Sequence, residues 1–173
     1  MQRMLVMTII GADRPGLVDT VARVVADHKG NWLESRMSRL GGQFAGILRV
    51  EVPADQERPL SSALQGLSEQ GLTVIVHADQ QEGKGPARLS RLEVVGQDRP
   101  GIVRQISHTL AEYGVNVEEF HSECASAAMS GETLFKATAK VSIPDSCNAA
   151  EMRRRLERIA EDLIVEVRLE DLK

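Results

Sequence analysis

Two stretches of this 173-residue chain hold residue types that could grip something small and charged. Gly11-Ala12-Asp13-Arg14-Pro15-Gly16-Leu17-Val18 returns 85 residues later as Gly96-Gln97-Asp98-Arg99-Pro100-Gly101-Ile102-Val103. The register then holds without a gap until Asn31 falls on Asn116. Each copy sets a carboxylate, a guanidinium, a proline and a glycine between an apolar run and a helical pattern. Gly11 and Gly96 allow a sharp exit that a side chain would obstruct. Arg14 and Arg99 precede proline and are biased away from the helical region. Pro15 and Pro100 are therefore expected at the first helical position, where a missing N–H costs nothing. Gly16 and Gly101 would leave the first-turn amides uncovered, with the positive end of the helix dipole exposed. A turn of this kind can hold a small anion, or receive another stretch of backbone.

Other constellations are weaker. The first stretch superficially suggests a phosphate loop, but Leu17 and Val18 stand where Lys and Ser/Thr are required. The dinucleotide pattern fails because its second glycine would be Asp13. Glu119, His121 and Glu123 alternate along one strand face and read as a mixed polar row rather than a metal site. Arg153, Arg154, Arg155 and Arg158 are interleaved with Glu151, Glu157 and Glu161 at helical spacing, so ion pairs along one solvated helix face are expected. No nucleophile elbow or paired-acid arrangement is present, and no catalysis is expected.

The elements that must carry the two turns follow from the repeat, which ranks above any single motif. In the first copy, residues 4–10 are apolar and strand-length, and a helix is expected from Pro15 to about His28 on Val18, Val21, Ala22 and Val25. Residues 32–40 and 43–52 around Gly41-Gly42 read as a hairpin. A second helix over about 58–70 uses Leu60, Leu64 and Leu67, and 72–77 is a fourth strand. The second copy repeats this order, with a helix to about Tyr113 on Val103, Ile106 and Leu110. A strand follows after Gly114, then one over about 133–143, a helix on Met152, Leu156 and Ile159, and a last strand over 163–169. Cys124 to Gly131, small residues but for Met129 and without strand alternation, reads as a longer hairpin loop found in this copy alone. The order β-α-β-β-α-β makes the fold class α+β, with two ferredoxin-like units of antiparallel sheet and helices on one face. Residues 1–79 and 89–173 are the expected domains, with 80–88 a linker around Gly83, Lys84 and Gly85. Each unit leaves a sheet face or edge uncovered, so the two are expected to pair with pseudo-twofold symmetry, and a homo-oligomer is open to the chain by the same means.

Composition narrows the function classes. The net charge is −4, with eight basic and nine acidic side chains in residues 1–80 and thirteen and sixteen in 81–173. A direct nucleic-acid binder would show a basic face or domain, and none is evident. No run approaches a membrane span and no leader pattern opens the sequence. Cys124 and Cys147 fit no metal or redox spacing, so a reducing cytoplasm is the expected location.

A strand, then Gly-x-Asp-Arg-Pro-Gly-[Leu/Ile]-Val, then a helix running to Gly-x-Asn, resembles the ACT domain, a small regulatory module that binds amino acids. Two copies covering nearly the whole chain, with Met129-Ser130-Gly131 before Leu134-Phe135 in the second, resemble the glycine cleavage system transcriptional repressor family. The resemblance implies an amino-acid ligand between the turn and the start of strand two. The matching positions are Asp13, Arg14, Pro15, Gly16 and Leu17 with Asn31, and Asp98, Arg99, Pro100, Gly101 and Ile102 with Asn116. This chain has Asp where some members carry Asn. A carboxylate there would repel a ligand carboxylate but attract its ammonium group. Trp32, beside Asn31, is expected to report occupancy of the first site.

The implied function is non-enzymatic and needs no cofactor. An amino acid, glycine by resemblance, would alter docking on a DNA-binding transcription activator, so that repression is indirect. Two alternatives are an amino-acid sensor acting on a metabolic enzyme and an interaction module with vestigial sites.

Overall fold

The computed structural model describes residues 1–80, 86–126 and 133–172. It divides into two compact units, Met1–Glu82 and Gly83–Lys173. In the first, the order is β1 (Gln2–Ala12), α1 (Leu17–Asp27), β2 (Asn31–Leu40), β3 (Gln43–Pro53), α2 (Glu57–Gln65), a 3-10 turn (Gly66–Gln70) and β4 (Leu72–Ala78). The second runs β5 (Ala87–Gln97), α3 (Ile102–Glu112), β6 (Asn116–Ser126), β7 (Thr133–Pro144), α4 (Ala149–Leu163) and β8 (Val165–Asp171). Each unit is one antiparallel sheet, ordered β2-β3-β1-β4 and β6-β7-β5-β8, the α+β split-βαβ arrangement. The loop expected at Met129-Ser130-Gly131 and the linker glycines Gly83 and Gly85, with Lys84, lie outside the described residues.

Alternation in the central strands decides which face is covered. Leu5, Met7 and Ile9 of β1 point to the helix side and are buried with Leu48, Val50 and Val52 of β3, Val21 and Val25 of α1, and Leu60 and Leu64 of α2. The second unit repeats this with Leu92 and Val94, Ile106 and Leu110, Val141 and Ile143, and Met152 and Leu156. Side chains of this size contribute about 1.5–3 kcal/mol each when fully buried. Both edge strands carry an irregularity at the same place, between Trp32 and Glu34 and between Val117 and Glu119. These positions differ by the repeat offset, so the bulge belongs to the unit rather than to one copy.

Several boundaries differ from the sequence expectation. Both first helices start at Leu17 and Ile102, not at Pro15 and Pro100, because Gly16 and Gly101 take φ of 90° and 96° as the capping residues. With this two-position shift the inward stripe differs at its first residue. Leu17 and Ile102 enter the core, whereas Val18 and Val103 are exposed. Cys124, Ala125 and Ser126 are not loop but the end of β6, paired with Phe135, Leu134 and Thr133. The strand β5 begins at Ala87, inside the stretch expected as linker, because Ala87 and Arg88 pair with Pro144 and Ile143. Leu163 ends α4, and Ile164 forms a left-handed cap before β8.

Candidate functional site

The turn of the first unit is locked from three sides. At Gly11 an added Cβ would stand 2.6 Å from the Gly71 carbonyl oxygen, so only glycine lets β1 pass the start of β4 this closely. Beyond β1, the Asp13 N–H donates to the Gly42 carbonyl at 2.9 Å, which ties the turn to the β2–β3 hairpin. Arg14 Nη2 donates to the Gln70 carbonyl at 3.0 Å, which ties it to the end of the 3-10 turn. Gly16 then accepts from both the N–H and the hydroxyl of Thr20 at 2.9 Å. No side chain caps α1. The N–H groups of its first turn are therefore not taken up by a capping side chain, and they follow the exposed Asp13, Arg14, Pro15 and Gly16. Leu17 is 4% exposed, so it offers the site its amide and not its side chain.

One neighbour was not anticipated from the motif. Arg39, near the end of β2, places Nη1 3.3 Å from Asp13 Oδ2. The turn thus presents a carboxylate and a guanidinium side by side at the helix N-terminus. The signal was present in the sequence, since Arg39 stands two residues before the Gly41-Gly42 hairpin that returns toward Asp13.

The second turn shares the backbone and differs in charge. A Cβ at Gly96 would meet the Val165 Cα at 2.7 Å, and the Asp98 N–H donates to the Thr133 carbonyl at 2.9 Å. Gly101 again caps, accepting from the Gln105 N–H at 3.0 Å, and Ile102 is buried at 2% exposure. Pro100 is exposed. Arg99 folds back onto Gln97 Oε1 at 3.1 Å instead of reaching the end of the second helix. Cys124 stands opposite Phe135 and Gly96, the row that Arg39 holds opposite Phe44 and Gly11. The second turn therefore lacks the guanidinium that accompanies the first.

The asparagines do not join the turns within their own units. Asn31 is in register with Glu51 and, beyond it, Met4, at the start of β1, whereas Asp13 follows Ala12 at its end. The nine steps of β2 from Asn31 to Leu40 separate the two by about 30 Å at strand rise. Asn116 likewise aligns with Ser142 and Leu89, and its Nδ2 donates to Glu118 Oε1 at 2.8 Å. The reason is topological. The helix carries the chain back along β1, so the next strand starts beside the origin of β1 rather than beside its exit. Trp32 shares this far end and cannot sit at the mouth of the Asp13 turn.

The other constellations are also placed. Glu119, His121 and Glu123 alternate along β6 opposite Lys140, Thr138 and Lys136. Among the described residues no three His, Cys, Asp or Glu side chains cluster as metal ligands. No helix there is long and apolar enough to cross a membrane. The arginines of α4 do not pair along their own helix. Arg155 reaches Glu112 of α3 at 3.0 Å and Arg153 donates to the Leu169 carbonyl at 2.9 Å. Glu151 is held instead by the capping Asn148, whose Nδ2 donates to it at 3.1 Å.

Comparison with known proteins agrees with this geometry. An ACT domain model matches residues 3–77, and a second ACT domain model matches 90–135. The glycine cleavage system transcriptional repressor of Escherichia coli K12 is 24% identical over 165 residues, covering 94% of this chain and 86% of that protein. Among solved structures, a protein of unknown function from Galdieria sulphuraria superposes with a TM-score of 0.91 at 29% identity, over the whole of both chains. A crystal structure provisionally assigned as a glycine cleavage system transcriptional repressor shares the fold, with a TM-score of 0.71 at 18% identity over 100% of this chain and 99% of its own. With βαββαβ units, the repeated glycine turns and two matched domain models, the chain belongs to the ACT domain family and carries two such domains in tandem.

Proposed function

We propose that this protein is a non-enzymatic regulator that responds to an amino acid, glycine foremost, and controls transcription indirectly. It would act by docking on a DNA-binding activator rather than on DNA. The observation that carries this reading is the similarity to a transcriptional repressor along both ACT domains, over 94% of the chain. The net charge of −4 supports a protein partner over a nucleic acid.

Within this reading, the first turn is the favoured amino-acid site. Asp13 and Arg39 offer opposite charges 3.3 Å apart, and the α1 amides add donors for a carboxylate. A zwitterion has both its charges answered there. At the second turn Asp98 and the α3 amides are offered without a counterpart to Arg39.

The test is a thermal-shift survey of the proteinogenic amino acids on the full chain. A ligand held only by the folded state at a hundredfold its Kd stabilises by about 2.7 kcal/mol. Glycine is expected to raise Tm, and the pure protein is expected not to retard duplex DNA at physiological salt. Silence from every amino acid, repeated by calorimetry, would remove the ligand from the proposal. A salt-sensitive, sequence-selective gel shift would remove the indirect mechanism.

A further inference from the structure

The second unit carries a groove of about 710 Å³ on its helix side, between α3 and α4. Its floor is Thr109, Tyr113 and Ile159, buried or half-buried, and its walls are exposed charged and polar side chains. On α4, Arg154 and Arg158 lie four residues apart and therefore on one face of the helix. Both line the groove, and Arg104 on α3 lines an adjoining hollow that shares Gln105 and His108 with it. Among the described residues none of these three guanidinium groups makes a hydrogen bond or ion pair. Two of the nearby carboxylates are engaged elsewhere. Glu112 is engaged by Arg155, with His108 Nε2 at 3.7 Å, and Glu151 by Asn148. Asp162, one turn beyond Arg158, pairs with none of the arginines.

This arrangement is particular to the second unit. By the 85-residue offset Arg104 corresponds to Asp19, a reversal of charge. The nine residues of α2 contain one cation, Arg58, where α4 holds four arginines. α4 also carries Glu151, Glu157, Glu161 and Asp162 and is neutral as a whole, so the contrast lies in the unengaged guanidinium groups at the groove and not in the net charge of the helix.

The geometry points to a docking trough: the α3–α4 groove receives an acidic segment of a protein partner, its carboxylates on Arg154, Arg158 and Arg104. The trough is open along its length and its charged walls are exposed, so it cannot enclose a small ligand as metabolite pockets do. An α4 of 15 residues spans about 22 Å, room for roughly four helical turns of a partner. Charge complementarity selects an acidic face, and Ile159 and Tyr113 suit apolar side chains beside it. The inference rests on the regulatory reading only in requiring a protein partner, and its test is separate from the amino-acid response.

The probe is a fluorescein-labelled amphipathic peptide of about 14 residues with Glu on one helical face and Leu on the other, set against the same peptide with Gln for Glu. Binding to the full chain is read by anisotropy, and the contact surface by backbone amide shifts. The Glu peptide is expected to perturb α3 and α4 and to weaken as ionic strength rises. Arg154→Glu with Arg158→Glu should weaken it on the order of tenfold or more, Arg154→Gln with Arg158→Gln less, and Arg58→Glu on α2 not at all. Equal binding of the Gln peptide, undiminished binding by the charge-reversed chain, or shifts centred outside α3 and α4 would each overturn the trough. So would duplex DNA or inorganic phosphate displacing the peptide from it. A glycine response without peptide binding loses the trough alone, and peptide binding without any amino-acid response loses the ligand reading alone.

Discussion

Arg39 Nη1 lies 3.3 Å from Asp13 Oδ2, joining the end of β2 to the turn that follows β1. The pair is on the surface, with the Arg39 side chain 72% exposed, so its contribution to stability is small, about 0–1 kcal/mol. Its interest lies in its position at an uncapped helix N-terminus, where a zwitterion would find a partner for each charge. Cys124 at the equivalent row removes that possibility from the second turn.

Arg39→Ala and Asp13→Asn should therefore act on ligand binding more than on folding. Each removes a charge-assisted hydrogen bond worth roughly 1.5–3 kcal/mol to the ligand, so glycine affinity should fall about tenfold or more. Tm should move little. Calorimetric titration with glycine, acetate and methylamine reads this directly, and the two single-charge analogues should bind far more weakly than glycine. Trp32 emission is expected to stay unchanged, since β1 places that ring about 26 Å from the turn. Equal glycine affinity in wild type and both variants would show that the pair takes no part.

Much of this architecture could be read from the repeat. Placing Gly96 on Gly11 located both turns, and the apolar runs around Leu5 to Ile9 and Leu92 to Val94 located both central strands. Proline spacing misled at the helix starts. The fixed φ of Pro15 suits a first helical residue and an extended residue before a cap equally well, and only the left-handed Gly16 decides between them. Asn31 and Asp13 lie apart within their own unit for a different reason. Proximity came from the resemblance, although the returning helix α1 already implied that β2 begins at the far end of β1. That Arg154 and Arg158 have no partner among the described residues was not legible, because helical spacing lists available partners without saying which of them another element captures. Arg155 had Glu151 within reach along its own helix and pairs with Glu112 of α3 instead.

The close passage at Gly11 gives a second prediction. Gly11→Ala drives a Cβ to 2.6 Å from the Gly71 carbonyl oxygen, a backbone atom that cannot swing aside. The first unit should lose roughly 1–3 kcal/mol, read as a lower denaturation midpoint with unchanged m-value. Gly16→Ala meets nothing within 4 Å but forces a Cβ onto φ of 90°, and should cost about 1–2 kcal/mol through backbone strain alone. A Gly11→Ala chain as stable as wild type would mean that β1 and β4 can separate at no cost.

The two cysteines should be distinguishable by pH. Burial pushes the Cys147 thiol above its ordinary pKa, with Arg88 pulling weakly the other way. A raised thiol pKa leaves less thiolate at neutral pH, so iodoacetamide should modify the exposed Cys124 first. The Cys147 rate, measured in Cys124→Ser, should climb only at a pH above that of a free thiol. The sign for stability follows. Folding favours the protonated thiol, so its contribution is complete below the unfolded thiol pKa and is lost as pH rises through the folded value. Faster modification of Cys147 than of Cys124 at neutral pH would contradict its burial.

A left-handed residue precedes the last strand of both units, and the copies fill it differently. The first uses Gly71, at φ of 78°, before Leu72, and the second uses Ile164, at φ of 56°, before Val165. Leu72 pairs with Gly11 and Val165 with Gly96, so these are the same position of the fold. Glycine enters this region freely, whereas a β-branched residue there crowds its Cβ against the backbone at about 1–2 kcal/mol. The Ile164 side chain offers little in return, being 63% exposed. Ile164→Gly should therefore stabilise the second unit by up to about 1 kcal/mol, the relief of strain being offset in part by the greater freedom of glycine in the unfolded chain. Gly71→Ile should destabilise the first unit by a comparable or larger amount. Chemical denaturation followed by backbone amide exchange assigns each change to its own unit. A loss of stability in Ile164→Gly would mean that the exposed isoleucine makes a contact worth more than the strain it imposes.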